Sequence, residues 1–196
     1  MKSYINETSI VKTQSARDMT EWQIGHAEAP GGGQILGLGG GKTETRMRTL
    51  FETLPLGDGT FCVIMHEAHG TFVSSPEVHV ASNFEEGSCE YSEVLAHEQK
   101  HIQALRLFHR KNEKKMRAQL RKIAGTIPVI EPVPKNGIEA AQKGLNTYVQ
   151  SQLDRYFKQA VQDLIKTQQK IDSPEEYARV ASKCRKWGEK LGSGKN

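Results

Sequence analysis

The spacing of apolar positions changes about halfway along the chain. Up to about residue 90 they alternate with polar residues or run together. Thr60-Phe61-Cys62-Val63-Ile64-Met65 is β-branched and aromatic, and Gly70-Thr71-Phe72-Val73 and Glu77-Val78-His79-Val80-Ala81 carry the same pattern, which predicts three strands. Turn chemistry at Pro55-Leu56-Gly57-Asp58-Gly59 sets them off from Thr43 to Leu54, where alternation also holds. From Tyr91 the period becomes helical: Val94, Leu95, Ile102, Leu105 and Phe108 predict a helix to about Ile123, ended by Gly125 and the proline-bearing linker Ile127 to Asn136. Leu145, Tyr148, Val149, Leu153, Phe157, Val161, Leu164 and Ile165 are expected to line the apolar face of a second long helix, from about Ile138 to Ile171. Ser173-Pro174-Glu175-Glu176 then opens a last helix reaching about Trp187.

The order of elements predicts an α+β fold in one domain of 196 residues: a polar and glycine-rich region 1–42, a β-rich region 43–90 and a helical region 91–187. The glycines from Gly31-Gly32-Gly33 through Gly37, Gly39, Gly40 and Gly41 read as a loop or hairpin. The content, 36% hydrophobic and 26% charged, is that of an ordinary globular fold. No apolar run approaches the ~20 residues of a membrane-spanning helix, so no membrane insertion is expected. The net charge of +4 is mild. Its basic residues between Arg106 and Lys122 fall on several helix faces with only Phe108 among them, so no nucleic-acid partner is expected.

The three cysteines, Cys62, Cys89 and Cys184, form no CxxC pair, which argues against a structural zinc knuckle. A Cys62–Cys89 bridge would tie the sheet to the first long helix and requires an oxidising compartment; Cys184 reads as a buried or unpaired thiol. Met1 to Glu7 lacks the apolar core of a secretory signal. That leaves a cytoplasmic protein, or an exported one met in its mature form.

The chemistry concentrates at His97-Glu98-Gln99-Lys100-His101. Helical residues four apart share a face, so His97 and His101 present two imidazoles to one cation. Glu98, one position on, stays off the ion but beside it, where a carboxylate serves as general base for a metal-activated water. The apolar turn Val94-Leu95-Ala96 before the motif buries the far side of the helix, and Glu77 to Ala81 is expected as an edge strand that aligns an extended substrate.

These features resemble the zincin metallopeptidases in a compact form. Pro76 to Ala81, then Gly87-Ser88-Cys89-Glu90-Tyr91 leading into Val94 to His101, more specifically resembles small bacterial secreted zinc-protease-like proteins, over roughly Phe61 to Phe108. The resemblance implies a zincin-like fold with a small sheet packed on the motif helix, one Zn2+, and a peptide or protein substrate. It also implies a periplasmic or secreted setting, which favours the Cys62–Cys89 bridge. The metzincin extension is absent, because Ala104 and Leu107 stand where its glycine and third histidine belong. A non-catalytic metal-binding or structural protein of the same shape is the alternative, and nothing in the chain speaks to its oligomeric state.

A catalytic zinc takes three protein ligands and leaves one position open. His109, eight residues past His101, lies ~12 Å along an unbroken helix and is too far. A gluzincin-type third ligand is a carboxylate on a later helix, for which Glu139, Asp154, Asp163, Asp172, Glu175 and Glu176 compete. Ile171 to Tyr177 is where the backing helix turns toward the site, which selects Glu176 and Glu175, with Tyr177 as a phenolic donor to an oxyanion. The same residues also form a capping box, Ser173 with Glu176, that needs no metal. Gly37 to Thr43 is no phosphate loop, since Leu36 stands where the pattern requires glycine. His66 and His69 do not converge on a strand as helical neighbours would.

Overall fold

The computed structural model describes residues 1–24 and 34–191; Gly31-Gly32-Gly33 and the tail 192–196 lie outside them. The fold is α+β. Strands β1 (Lys2–Ile5), β2 (Ser9–Val11), β3 (Gly37–Pro55), β4 (Thr60–Val80) and β5 (Val133–Pro134) accompany helices α1 (Ala16–Ile24), α2 (Cys89–Ala124), α3 (Ile138–Ile171), α4 (Pro174–Lys183) and α5 (Trp187–Leu191). Every strand pairs with β4. The sheet is mixed: β2 runs parallel to β4, with Ile10 opposite Val78, and β5 runs antiparallel, with Phe61 opposite Val133.

Two sequence expectations change here. The three short strands are one strand, β4, because the intervening His66-Glu67-Ala68-His69 and Ser74-Ser75-Pro76 continue the extended backbone. Glu77 to His79 is not a free edge: Ser9 to Val11 pair with it, and β3 pairs with the same strand.

The glycine run from Gly37 is strand rather than loop. A Cβ on Gly37 would stand 2.6 Å from Val94 Cγ1, and one on Gly39 would stand 2.5 Å from the backbone oxygen of Glu98. Glycine is required at Gly39 by the close approach of strand and helix, not by flexibility. Gly41 combines such an approach, to the backbone of Ser75, with φ of 109°, which side chains rarely adopt.

The chain forms two compact units. One comprises Met1–Tyr4, Thr43–Val73 and His109–Asp163. Its buried side chains include Phe72, Met116, Leu120, Leu145, Val149 and Leu153. His109 lies in this core, stacked on Phe72 with ring centroids 4.2 Å apart and bonded through Nε2 to the Ser3 hydroxyl at 2.9 Å. Burial pushes its pKa down, so it is held as a neutral packing residue.

The other unit comprises Ile5–Lys42, Ser74–Phe108 and the chain from Leu164. Met19, Val78, Val80, Phe84, Val94 and Ile102 form its core, with Trp187 meeting Phe84 edge-on at 5.6 Å between centroids. The start of α2 is set by Ser88, whose hydroxyl accepts from the Tyr91 N–H at 3.2 Å. The start of α4 is set by Ser173, which accepts from the Glu176 N–H, with Pro174 in the first turn. The last helix is shorter than expected: α4 stops before Cys184, whose backbone is extended at φ −121° and ψ 152°, and a separate short helix, α5, starts at Trp187.

Candidate metal centre

His97 and His101 project from adjacent turns of α2, both almost fully buried, with ring centroids 5.1 Å apart. Asp172 occupies the single step between the last residue of α3 and the N-cap of α4. Its Oδ1 lies 3.2 Å from Nε2 of His97 and 3.0 Å from Nε2 of His101, and the two Nε2 atoms are 3.4 Å apart. Among the described residues, His97, His101 and Asp172 are the group that can hold a metal ion. Ligands at ~2.0–2.1 Å from a tetrahedral ion lie about 3.3 Å from one another. The three donor atoms have that spacing.

The other ring nitrogens decide what the Nε2 atoms carry. Nδ1 of His101 faces Oε1 of Gln168, whose amide orientation follows from its Nε2 donating to the His101 carbonyl at 3.3 Å. Nδ1 of His97 faces Oε1 of Glu176 at 3.3 Å. Both partners accept, so each Nδ1 carries the proton and each neutral ring turns the lone pair of Nε2 toward Asp172. Three lone-pair donors thus converge on one point. Such a cluster is satisfied by protonating the rings or by a cation.

The electrostatics record the same tension. Burial works against charging either imidazole, but the hydrogen bond and charge of Asp172, with Glu98 and either Glu176 or Gln168, outweigh it and raise both pKa values above 6.5. Burial would raise Asp172, but hydrogen bonds from His101 and His97 in their protonated form, the charge of His101 and a bond from Tyr177 together hold its carboxyl well below the ordinary carboxylate range. Glu98 is buried, and that burial raises its pKa to about 7 against the charges of His97 and His101 and an N–H from Gly39. Tyr177, half-exposed, has its ring 5.7 Å from that of His97 and donates to Asp172; burial and that carboxylate push its pKa up.

The placement of the expected site residues divides accordingly. His97, Glu98, His101 and Tyr177 are together. The carboxylate that joins the two Nε2 atoms is Asp172, in place of Glu175 or Glu176. Glu176 points to the outer nitrogen of His97 and is claimed by Arg179 at 2.9 and 3.0 Å and Lys100 at 2.5 Å. Its pKa is lowered first by Arg179, against a desolvation cost, and then by Lys100 and His97. Glu175 is exposed at the start of α4, where its own backbone N–H and Ser173 bond it. Asp172 already stood among the competing carboxylates; its one distinguishing signal was its place at the break between two helices.

The expected Cys62–Cys89 bridge is replaced by Cys89–Cys184, with Cα atoms 5.9 Å apart, and Cys62, in β4, remains a thiol. The bridge joins the first residue of α2 to the residue that ends α4. Comparison of the chain with protein-family models, with curated proteins and with solved structures found no match.

Proposed function

We propose that this chain is a zinc-dependent hydrolase, most simply a peptidase of zincin-like architecture. The observation that carries the reading is the convergence of three lone-pair donors at tetrahedral spacing, each imidazole held in the metal-binding tautomer by an acceptor behind it. His97, His101 and Asp172 would hold the ion, leaving the fourth position open. Zinc in such a site supplies Lewis acidity and lowers the pKa of a bound water to near ~7.

The chain's own residues are arranged for the proton traffic. Glu98, buried beside both ligands, has a carboxylate where a general base would stand to take a proton from a metal-activated water. The Gly39 N–H keeps its carboxylate oriented. Tyr177 stands at the half-exposed side of the group with its hydroxyl on Asp172, from which it can turn to an oxyanion. Gln168 and Glu176 hold the ligand rings.

The Cys89–Cys184 bridge is at home in an oxidising compartment, in keeping with a periplasmic or secreted setting over a cytoplasmic one. Among the described residues no helix is long and apolar enough to cross a membrane. A second reading, a metal-holding protein without catalysis, is favoured by one observation: Glu98 is only 5% exposed, under the Gly37–Gly39 segment.

Metal analysis and Glu98→Gln together decide. Protein purified without chelator is expected to carry one zinc per chain. Glu98→Gln is expected to keep the zinc and lose hydrolysis of an unstructured protein such as casein by about 10²- to 10⁴-fold. Metal-free protein under these conditions defeats the site, and zinc-loaded wild type that hydrolyses no faster than the Gln variant defeats the enzyme in favour of the second reading.

A further inference from the structure

Contacts between α2 and α4 descend in a regular series. At four-residue steps along α2, Cys89, Glu93, His97 and His101 meet residues in reverse order from the other segment. Cys89 is bridged to Cys184, and Glu93 Oε2 accepts from Arg179 Nη1 at 3.2 Å. His97 Nδ1 meets Glu176 at 3.3 Å, and His101 Nε2 meets Asp172 at 3.0 Å. The segment therefore runs antiparallel along one face of α2, with the covalent link at one end and the third candidate ligand at the other. Its apolar anchoring is slight, for Val180 is the buried residue of α4.

We infer that the Cys89–Cys184 disulfide is a positioning clasp for the metal centre: it holds α4 along α2 and so keeps Asp172 at the Nε2 atoms of His97 and His101. The inference rests on the metal reading above and adds a dependence to it. Two ligands come from one helix and need no help to stay together. The third comes from a segment held by polar contacts, and the link raises its effective concentration at the ion. The centre then holds its ion most tightly where disulfides persist.

The test is a double-mutant cycle with Zn2+ itself as the probe, read by competition against a chromogenic chelator at 25 °C. The linked protein is compared with Cys89→Ser/Cys184→Ser, each with and without Asp172→Asn, with far-UV circular dichroism establishing the fold. Cys89→Ala/Cys184→Val, which keeps the buried position at 184 apolar, is the second unlinked variant should the serine pair not fold. Unlinking is expected to weaken zinc binding about 10-fold, and Asp172→Asn to cost about 100-fold when linked but only about 10-fold when unlinked, because the ligand is then already partly disengaged. A disulfide that only stabilises the fold leaves the Asp172→Asn factor equal in both backgrounds, and that equality, or unchanged affinity on unlinking, overturns the clasp while the metal site stands. Absence of zinc binding by the linked protein overturns the metal reading itself.

Discussion

At the scale of single residues, the candidate centre separates carboxylates that look alike in sequence. Asp172, Glu175 and Glu176 lie within five positions, yet one meets both Nε2 atoms, one bonds only its own backbone N–H and the capping Ser173, and one braces an imidazole from behind. Their substitutions should differ in kind. Zinc affinity is expected to fall about 100-fold in Asp172→Asn and about 10-fold in Glu176→Gln, and to stay unchanged in Glu175→Gln, measured by chelator competition; equal losses at 175 and 172 would refute the ligand assignment. The shifted pKa values set a second expectation. Glu98 in the folded, metal-free chain has a pKa of about 7 against an ordinary 4.5, and His97 and His101 lie above 6.5. Groups with raised folded pKa values contribute stability that is full below their ordinary values and is lost as pH rises through the raised ones. Asp172 and Glu176, whose pKa values are lowered, contribute stability above their ordinary values that is lost as pH falls. Metal-free protein should therefore melt highest near about pH 5 and at lower temperature as the pH rises past about 7. Zinc reverses that trend, because it requires both rings unprotonated. A metal-free melting temperature that climbs steadily from pH 5 to 8 would show that the cluster does not hold protons in this way.

At the scale of elements, the centre depends on three pieces of backbone: two turns of α2, the break between α3 and α4, and the start of β3. The helix was legible because its apolar positions keep their period from Val94 to Phe108, whereas its start at Cys89, two residues before the expected Tyr91, and its Ser88 cap emerged only in the structure. The break was legible as a capping signal, Ser173 with Pro174, although that signal drew the eye to Glu176 and away from the residue just before the cap. The start of β3 was not legible. A run of glycines is the same string whether it serves mobility or close packing, and only the neighbour at 2.5 Å from a would-be Cβ tells which. Gly39→Ala is accordingly expected to destabilise the fold by about 1–3 kcal/mol, as overpacking does, whereas Gly57→Ala, with nothing within 4 Å, should be near neutral. Thermal melts of the two variants compare them directly, and equal melting temperatures would mean that β3 does not press on α2 at Glu98.

At the scale of the whole molecule, a bound ion stabilises whichever state holds the site. Zinc at 1,000 times its dissociation constant should add about 4 kcal/mol, removable by a chelator and absent in His97→Ala/His101→Ala. Scanning calorimetry with and without EDTA measures it, and identical traces would exclude a metal-bound folded state. What the chain's order of residues determined by itself was whatever is local: the α+β class, the helical period, the Ser173 cap, and a His-Glu-His triplet whose geometry follows from 3.6 residues per turn. What only the tertiary structure decided was whatever joins distant residues. The third donor lies 71 positions from His101. The disulfide closes over 95 positions and chose Cys184 over Cys62, and β4 became an interior strand through pairing with a segment some 68 residues earlier, Ser9 to Glu77. Local spacing constrains neighbours through bond geometry, but which of several carboxylates or thiols meets a given partner depends on how the elements pack.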